Sequence, residues 1–359
     1  MKTRRSVICF LLFVCVGVFC FGQNYFPDIP GYRTLVCDFH THTVFSDGRV
    51  WPTMRVDEAQ KEGLDAIALS DHIECQPHRE DLSTNRNRPF AIAEQRAREK
   101  NVLLIKGGEI TRDTPPGHYN ALFLDDIELL VLPEFLDVIE AANKQKAFVF
   151  WNHHAWQGEE KGRWTDLQTT LYEKKWLHGM EVANGSSYYP NAHQWCLEKK
   201  MTMLGNSDIH DASINYPYMA QTHRTLTLVF AKERTVESLH EALLSGRTAV
   251  WLENRLIGRS DYLKPLFDRC VTVAKPHYIE KRTVYFELSN NALINLQLEN
   301  IGKSGPSNIA IPAKSAVIVN TTLPMDADTV ILSYRVKNFL IEPNKGLPVE
   351  FTISSVLLK

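Results

Sequence analysis

The sequence predicts an α/β domain, either a barrel or a doubly wound sheet, followed by a small all-β sandwich-like domain. Three observations predict it. Short β-type runs alternate with helical stretches over most of the chain, the texture turns wholly to β from about Val271, and histidines and carboxylates gather where the β-type runs end. A chain of 359 residues is long enough for one large domain and a smaller one.

The β-type runs fall at residues 34–39, 65–69, 102–106, 119–124, 147–151, 180–182, 201–204 and 225–230, with helical stretches at 54–62, 90–100, 132–145 and 236–245 between several of them. Repeated strand–helix units imply parallel strands with helices outside. Residues 254–269 read as a link. Beyond it, segments such as TVYFEL, DTVILSYRV and VEFTISSVLL are β-rich with polar turns and no helix, which predicts a sandwich of roughly 90 residues. The expected boundaries are a segment of residues 1–22, a first domain of 23–262 and a β domain of 263–359.

Residues 1–22 are set apart by their own pattern. Lys2, Arg4 and Arg5 precede an apolar run over residues 7–21, and Gly22 then leads to the polar Gln23. A basic start, a short apolar stretch and a small residue before a polar one describe a secretory signal peptide, so the expected location is periplasmic or secreted. A buried N-terminal helix or an uncleaved anchor are the alternatives. Three of the seven cysteines lie in this segment; Cys37, Cys75, Cys196 and Cys270 are far apart, and both disulfides and buried thiols stay open for them.

With 44% apolar and 23% charged residues the composition is that of a soluble globular protein. The formal net charge of −2 gives no global support for nucleic-acid or membrane binding, and the oligomeric state is not written in the sequence.

The chemistry sits at the run ends. In order come His40-Thr41-His42, Ser46-Asp47-Gly48, Ser70-Asp71-His72, Gly107-Gly108-Glu109, Gly117-His118-Tyr119, Asn152-His153-His154 and Asn206-Ser207-Asp208-Ile209-His210. In an α/β barrel these ends converge on one rim. A lone H-x-H pair is unremarkable among 13 histidines, and a lone histidine at a strand end is more often structural. Successive ends that each bring an imidazole or a carboxylate are different: gathered without a cation they would carry a heavy desolvation and repulsion cost. The pattern therefore predicts a multinuclear metal centre. Mixed imidazole and carboxylate donors suit two or three divalent ions of Zn, Mn or Fe.

The order HxH, SDG, DH, GxE, H, NH and SDxH resembles the PHP (polymerase and histidinol phosphatase) family of metal-dependent phosphoesterases over about residues 34–251, and Glu181 fits the later family pattern. The resemblance implies a distorted (β/α)7 barrel with up to three metals. It implies that His40, His42, Glu109 and Asp208 hold a first ion, that Asp47, His72 and His210 hold a second, and that Glu109, His118 and His153 hold a third. One departure is His154 where the family usually has proline, so His154 is a second candidate for ligand or substrate contact. Asp71 and Asp38 are expected to orient ligands from behind. The implied reaction is hydrolysis of a small phosphate ester by a hydroxide bridging the first two metals, with Asp208, His210 and Glu109 catalytic through the ions they hold. The signal peptide and the added β domain resemble exported PHP phosphodiesterases, which favours a broad-specificity phosphodiesterase. A phosphatase of the same family, or a non-catalytic binding protein, is the alternative.

Substrate residues are sought in the loops. His78, Arg79, Arg86 and Arg88 lie in the loop at 74–89, and Arg112, Tyr188, Tyr189, His223 and Arg224 fall beside other strand ends. The arginines are candidate clamps for an anionic group, and His223 is a candidate for protonating the leaving group. Trp151, Trp156 and Trp164 form either an aromatic wall or core.

Overall fold

The most apolar runs of the sequence become strands buried on both faces, as a sheet filled by side chains inside and covered by helices outside requires. In the computed structural model, which describes residues 25–216 and 223–355, the first of these are β1 (Arg33–Asp38) and, after α1 (Pro52–Lys61), β2 (Ala66–Leu69). The predicted signal segment lies outside the described residues. α2 (Arg88–Lys100), β3 (Leu103–Ile110) and β4 (Tyr119–Leu122) follow, then α3 (Phe135–Lys144), β5 (Phe148–Trp151), α4 (Asp166–Glu173) and β6 (Gly179–Asn184). After β7 (Ser187–Tyr188) come α5 (Pro190–Lys199), β8 (Thr202–Asn206), β9 (Leu226–Ala231), α6 (Val236–Leu244) and β10 (Thr248–Leu252). Proline at the first turn of α1, α2 and α5 starts those helices where its missing N–H costs nothing.

The strands are not all parallel. β1, β2 and β3 run together, as do β5, β6 and β8, whereas β4 is antiparallel to β3 and β5, and β9 to β1 and β10. Mixed directions agree with the distorted barrel expected. For β4 the reason is local: β3 reaches it over residues 111–118 without a helix to carry the chain back across the sheet.

Between β8 and the β9–β10 pair, side chains close the barrel. Thr227 Oγ1 accepts from Gly205 N (3.0 Å) and donates to Gly205 O (2.8 Å), and Thr248 Oγ1 donates to Met203 O (2.7 Å). A Cβ on Gly205 would collide with Val250 and Leu226 O, so the seam requires glycine there. At the rim the closure continues in backbone: Asp208 N donates to His40 O (3.0 Å) and His42 N to Ile209 O (3.1 Å).

Residues 254–269, expected to link the two domains, are ordered as regular elements. They form β11 (Arg255–Gly258) and the start of α7 (Ser260–Cys270). The β domain then comprises β12 (Val271–Val273), β13 (Tyr278–Glu280), β14 (Thr283–Asn290), β15 (Leu296–Asn300), β16 (Asn308–Ile311), β17 (Ala316–Thr322), β18 (Thr329–Glu342) and β19 (Lys345–Ser354). One sheet joins β16, β15, β18 and β19, the other β12, β13, β14 and β17. Strict alternation in β14 turns Val284, Phe286 and Leu288 onto Leu298, Leu332 and Phe351 in a shared core. β11 pairs with β10 on one side and with β18 on the other, so a single sheet runs from the barrel into the sandwich. Cys37, Cys196 and Cys270 are buried free thiols and Cys75 is an exposed one. No helix of the described residues is long and apolar enough to cross a membrane.

Two histidines away from the rim make stability depend on pH. Burial lowers the pKa of both His178 and His193 to about 4, with a further push from His240 on the first and Arg259 on the second. Both are neutral in the fold and take up a proton near pH 6.5 when unfolded. Stability is therefore fully present above that pH and falls as the pH drops towards 4, by up to about 1.4 kcal/mol per pH unit for each residue. His178→Asn is expected to show a shallower fall in melting temperature between pH 7 and pH 4.5 than the parent; equal slopes would remove His178 from the account.

Candidate metal centre

Strand direction explains where each candidate ligand sits in the sequence. His40 and His42 follow the end of β1, His72 follows β2, His153 follows β5, and Asp208 and His210 follow β8, all at one rim. β4 runs the other way, so its donor, His118, precedes the strand and still reaches that rim. Asp208 adopts φ 54°, a left-handed conformation that aspartate tolerates better than most residues. Gly48 is required after Asp47: a Cβ there would lie 2.7 Å from the backbone of His42 and Thr43.

These side chains converge on Glu109, which is 0% exposed. Its Oε2 lies 3.2 Å from His40 Nε2, 3.4 Å from His42 Nε2 and 3.0 Å from His72 Nδ1, and its Oε1 lies 2.9 Å from His118 Nδ1 and 3.6 Å from His153 Nε2. Asp208 Oδ1 lies 3.0 Å from His42 Nε2 and 3.3 Å from His40 Nε2, and Asp208 Oδ2 3.8 Å from His153 Nε2. Asp47 reaches His210 Nε2 at 3.3 Å and His72 Nε2 at 3.5 Å.

Among the described residues the donor atoms fall into four overlapping groups: His42, Asp47, His72 and His210; His40, His153 and Asp208; His40, His42 and Glu109; and His72, Glu109 and His118. The donor set fits divalent cations. Imidazole nitrogens crowd buried Glu109 and half-buried Asp208 at distances suited to sharing an ion, and all are oxygen or nitrogen donors of the kind such ions take.

The electrostatics show the crowding. Burial opposes charge on His72, yet Glu109 and Asp47 outweigh it and raise its pKa to about 11. Burial likewise opposes charge on His40, His153 and His210, and the surrounding carboxylates override it. His42 goes the other way: burial takes it down to about 4. Burial would raise Glu109 and Asp208, but the imidazoles around them hold both well below the usual carboxylate range.

A ring of supporting groups fixes the donors. Glu181 Oε1 lies 2.9 Å from His40 Nδ1, so a proton on Nδ1 leaves the Nε2 lone pair facing Glu109 and Asp208. Asn152 Nδ2 donates to Glu109 Oε1 (2.9 Å) and Asn184 Nδ2 to Glu181 Oε2 (2.9 Å). Asp38 accepts from Ser207 Oγ (2.5 Å) and from His40 N (3.3 Å), which ties the two ligand-bearing segments together. Asp71 accepts from Thr43 N, Thr43 Oγ1 and Ser46 Oγ, holding the turn that carries Asp47, and the hydroxyl of Thr111 meets His72 Nδ1 at 2.6 Å.

The sequence points to none of the clamps made by Arg55. Its Nε donates to His42 O (2.8 Å), its Nη1 to Asp211 O (2.9 Å), and its Nη2 to Ile209 O (3.0 Å) and His210 O (2.7 Å). The signal was present, since Pro52, Arg55, Val56 and Ala59 form the buried stripe of α1 at helical spacing and one of them is an arginine.

A solved two-domain protein from Bacteroides vulgatus, described as containing a predicted PHP-like metal-dependent phosphoesterase, is 40% identical over 91% of this chain and 97% of that one, with a TM-score of 0.87. The chain belongs to the PHP-like metal-dependent phosphoesterases. Residues 271–352 match the family of Ig-like domains, in agreement with the expected β domain. An uncharacterised protein of Methanocaldococcus jannaschii is 26% identical over 144 residues, 32% of this chain and 65% of that protein's length. A Bifidobacterium adolescentis structure assigned as a metal-dependent phosphoesterase covers 58% of this chain and 96% of its own at 17% identity and a TM-score of 0.42.

In this PHP-like centre the donors open onto a cleft of about 240 Å³ walled by Asp47, Glu109, His153, Trp156, Asn184 and Asp208, among others. Several predicted substrate residues are elsewhere. His154 is buried, its Nδ1 donates to Gly162 O (2.6 Å), and its ring packs between Tyr189 and Trp195; the aromatic core behind β5 takes it. Arg224 is buried against Asp38 and Glu62 and does not wall the cleft. His223 lies tilted against Trp251 with ring centroids 3.5 Å apart, its Nδ1 2.6 Å from Arg224 O and its Nε2 3.0 Å from Glu253 O, so the ring is turned away from the cleft. Arg86 Nε donates to Ile73 O and its guanidinium pairs with Glu128, while Arg79 is exposed on the loop and does not wall the cleft. Arg112 is bound to Glu74. Of the tryptophans, Trp151 and Trp164 pack in the core and Trp156 alone stands at the cleft.

Proposed function

We propose that this chain hydrolyses small phosphate esters with two or three divalent ions, and that phosphodiesters are its better substrates. The observation that carries the reading is the crowding of imidazoles on buried Glu109 and half-buried Asp208, with a cleft opening directly onto them. His40, His42, Glu109 and Asp208 are assigned to a first ion, Asp47, His72 and His210 to a second, and Glu109, His118 and His153 to a third. When bound, such ions neutralise phosphoryl charge and lower the pKa of water, giving hydroxide near neutral pH.

The chain's own groups prepare that chemistry. Glu181 and Asn152 hold His40 and Glu109 in the orientation that presents their free lone pairs. Asn184 Nδ2, which donates to Glu181 Oε2 and lies 3.4 Å from Asp208 Oδ2, ties those two carboxylates together at the cleft wall. No serine, threonine or cysteine is among the described residues walling the cleft, which supports direct attack by water over a covalent intermediate. Export is part of the proposal, supported by the basic and apolar pattern of residues 1–22.

Hydrolysis of bis(p-nitrophenyl) phosphate and of p-nitrophenyl phosphate with added Mn²⁺ or Zn²⁺ tests this. Faster turnover of the diester, lost in both His40→Ala and Asp208→Ala, is expected. Faster turnover of the monoester would convert the reading to a phosphatase. No turnover of either by protein that holds metal would sink the broad-specificity reading.

A further inference from the structure

A second cavity, of about 590 Å³, adjoins the metal-facing cleft and shares His118 and Trp156 with it. That volume is in the range of small-molecule sites. Trp156 is 53% exposed, an unusual state for the largest apolar side chain. Its ring centroid lies 5.7 Å from that of His118 and 5.9 Å from that of His153. The indole therefore stands beside the imidazoles assigned to metal, where a group esterified to phosphate at the centre must pass. Across the cavity, exposed Leu132 and Pro133 add apolar surface.

The charges of the cavity decide what kind of group fits. Arg112, the only arginine or lysine among the described residues that line it, is already committed: it pairs with Glu74 and donates to Thr111 O (2.8 Å) and Leu132 O (3.1 Å). Glu74 and Asp113 together outnumber it, so the formal charge of the walls is negative. Away from the metal edge at His118, a second phosphate or a carboxylate would meet repulsion there, with no free cation among the described residues to bind it. An uncharged ring meets a π-face and apolar walls instead.

Resting on the phosphoesterase reading of the neighbouring centre, the geometry points to this cavity as the subsite for the alcohol portion of the substrate, and to an uncharged planar ring stacked on Trp156 as what it takes. This gives Arg112 a different part from the anion clamp expected of it. It braces the cavity wall, and Trp156 becomes the residue that sets specificity.

Calorimetric titration of the metal-loaded protein with phosphonates, which are not hydrolysed, separates this subsite from catalysis. Phenylphosphonate and methylphosphonate carry the same anionic head and differ by a ring; phosphonoacetate adds a second anion. Phenylphosphonate is expected to bind about tenfold more tightly than methylphosphonate, the scale of one aromatic stacking contact. Phosphonoacetate should bind no better than methylphosphonate. Trp156→Ala should bring the phenyl-to-methyl ratio close to one, and Trp156→Phe should retain part of it. Equal affinities in the parent, a preference that survives Trp156→Ala, or tighter binding of phosphonoacetate would each overturn the inference. Because binding is read without turnover, a protein that shows the phenyl preference and hydrolyses no ester would refute the hydrolase reading and leave the subsite standing. Failure of metal-loaded protein to bind any of the three would refute both.

Discussion

Replacing Glu109 with glutamine is expected to strip metal from the centre and cut ester hydrolysis by on the order of a thousandfold. The substitution keeps shape and volume, so the effect isolates charge and lone pairs. Five imidazoles lie within 3.6 Å of the Glu109 carboxylate, and Asn152 donates to it as well. An amide at this position carries no charge and can offer only one oxygen. Its NH₂ would occupy one side of a site built from acceptors. Elemental analysis should show at least one ion fewer per chain than the parent, with circular dichroism unchanged. A variant that kept its full metal content and activity would show that Glu109 does not bridge two ions, and the first and third ligand sets would have to be redrawn.

The donors themselves were legible in the sequence because metal chemistry restricts residue type and strand geometry restricts spacing. The H-x-H pair lies on an extended segment, so His40 and His42 turn to one side, and Gly48 after Asp47 reports a backbone that comes too close for any side chain. The β domain was legible for a similar reason, since the alternation in residues 283–290 survives as buried and half-exposed positions in β14. Direction was not. Nothing in Tyr119–Leu122 or Leu226–Ala231 states which way a short buried strand runs, and nothing in the sequence shows that His223 and Arg224, just before β9, turn away from the cleft. His154 was ambiguous for a different reason. One residue beyond His153 the side chain points to the opposite side, and only the presence of Trp151, Tyr189 and Trp195 there shows that an aromatic core receives it. Supporting contacts such as Glu181 to His40 and Asn184 to Asp208 join residues distant in sequence, and a single sequence carries no trace of them.

Arg55, whose burial the stripe of α1 signals while its partners stay unwritten, should have the second-largest effect when replaced by methionine. Arg55 is 1% exposed, and one guanidinium holds the carbonyls of His42, Ile209, His210 and Asp211 while its Nη1 donates to Glu58 Oε2 (2.6 Å). It thereby joins the segment after β1 to the segment after β8, each of which bears ligands. Methionine fills the volume but leaves those carbonyls and Glu58 without their donor, a loss on the scale of about 3–5 kcal/mol for breaking a buried ion pair. Lysine should restore little, because a point charge cannot reach four carbonyls that a planar fork meets at once. Urea unfolding of metal-free protein gives the stability term. Metal titration of the folded variant gives the second term: the group of His42, Asp47, His72 and His210 should weaken by roughly 10- to 100-fold, because two of its members sit on the clamped segments. The His40, His153 and Asp208 group should weaken less, since His40 is braced separately by Glu181 and Asp38. Uniform weakening of every ion would mean that Arg55 acts only through global stability. Unchanged affinity would mean that the backbone of the rim holds its geometry without the clamp.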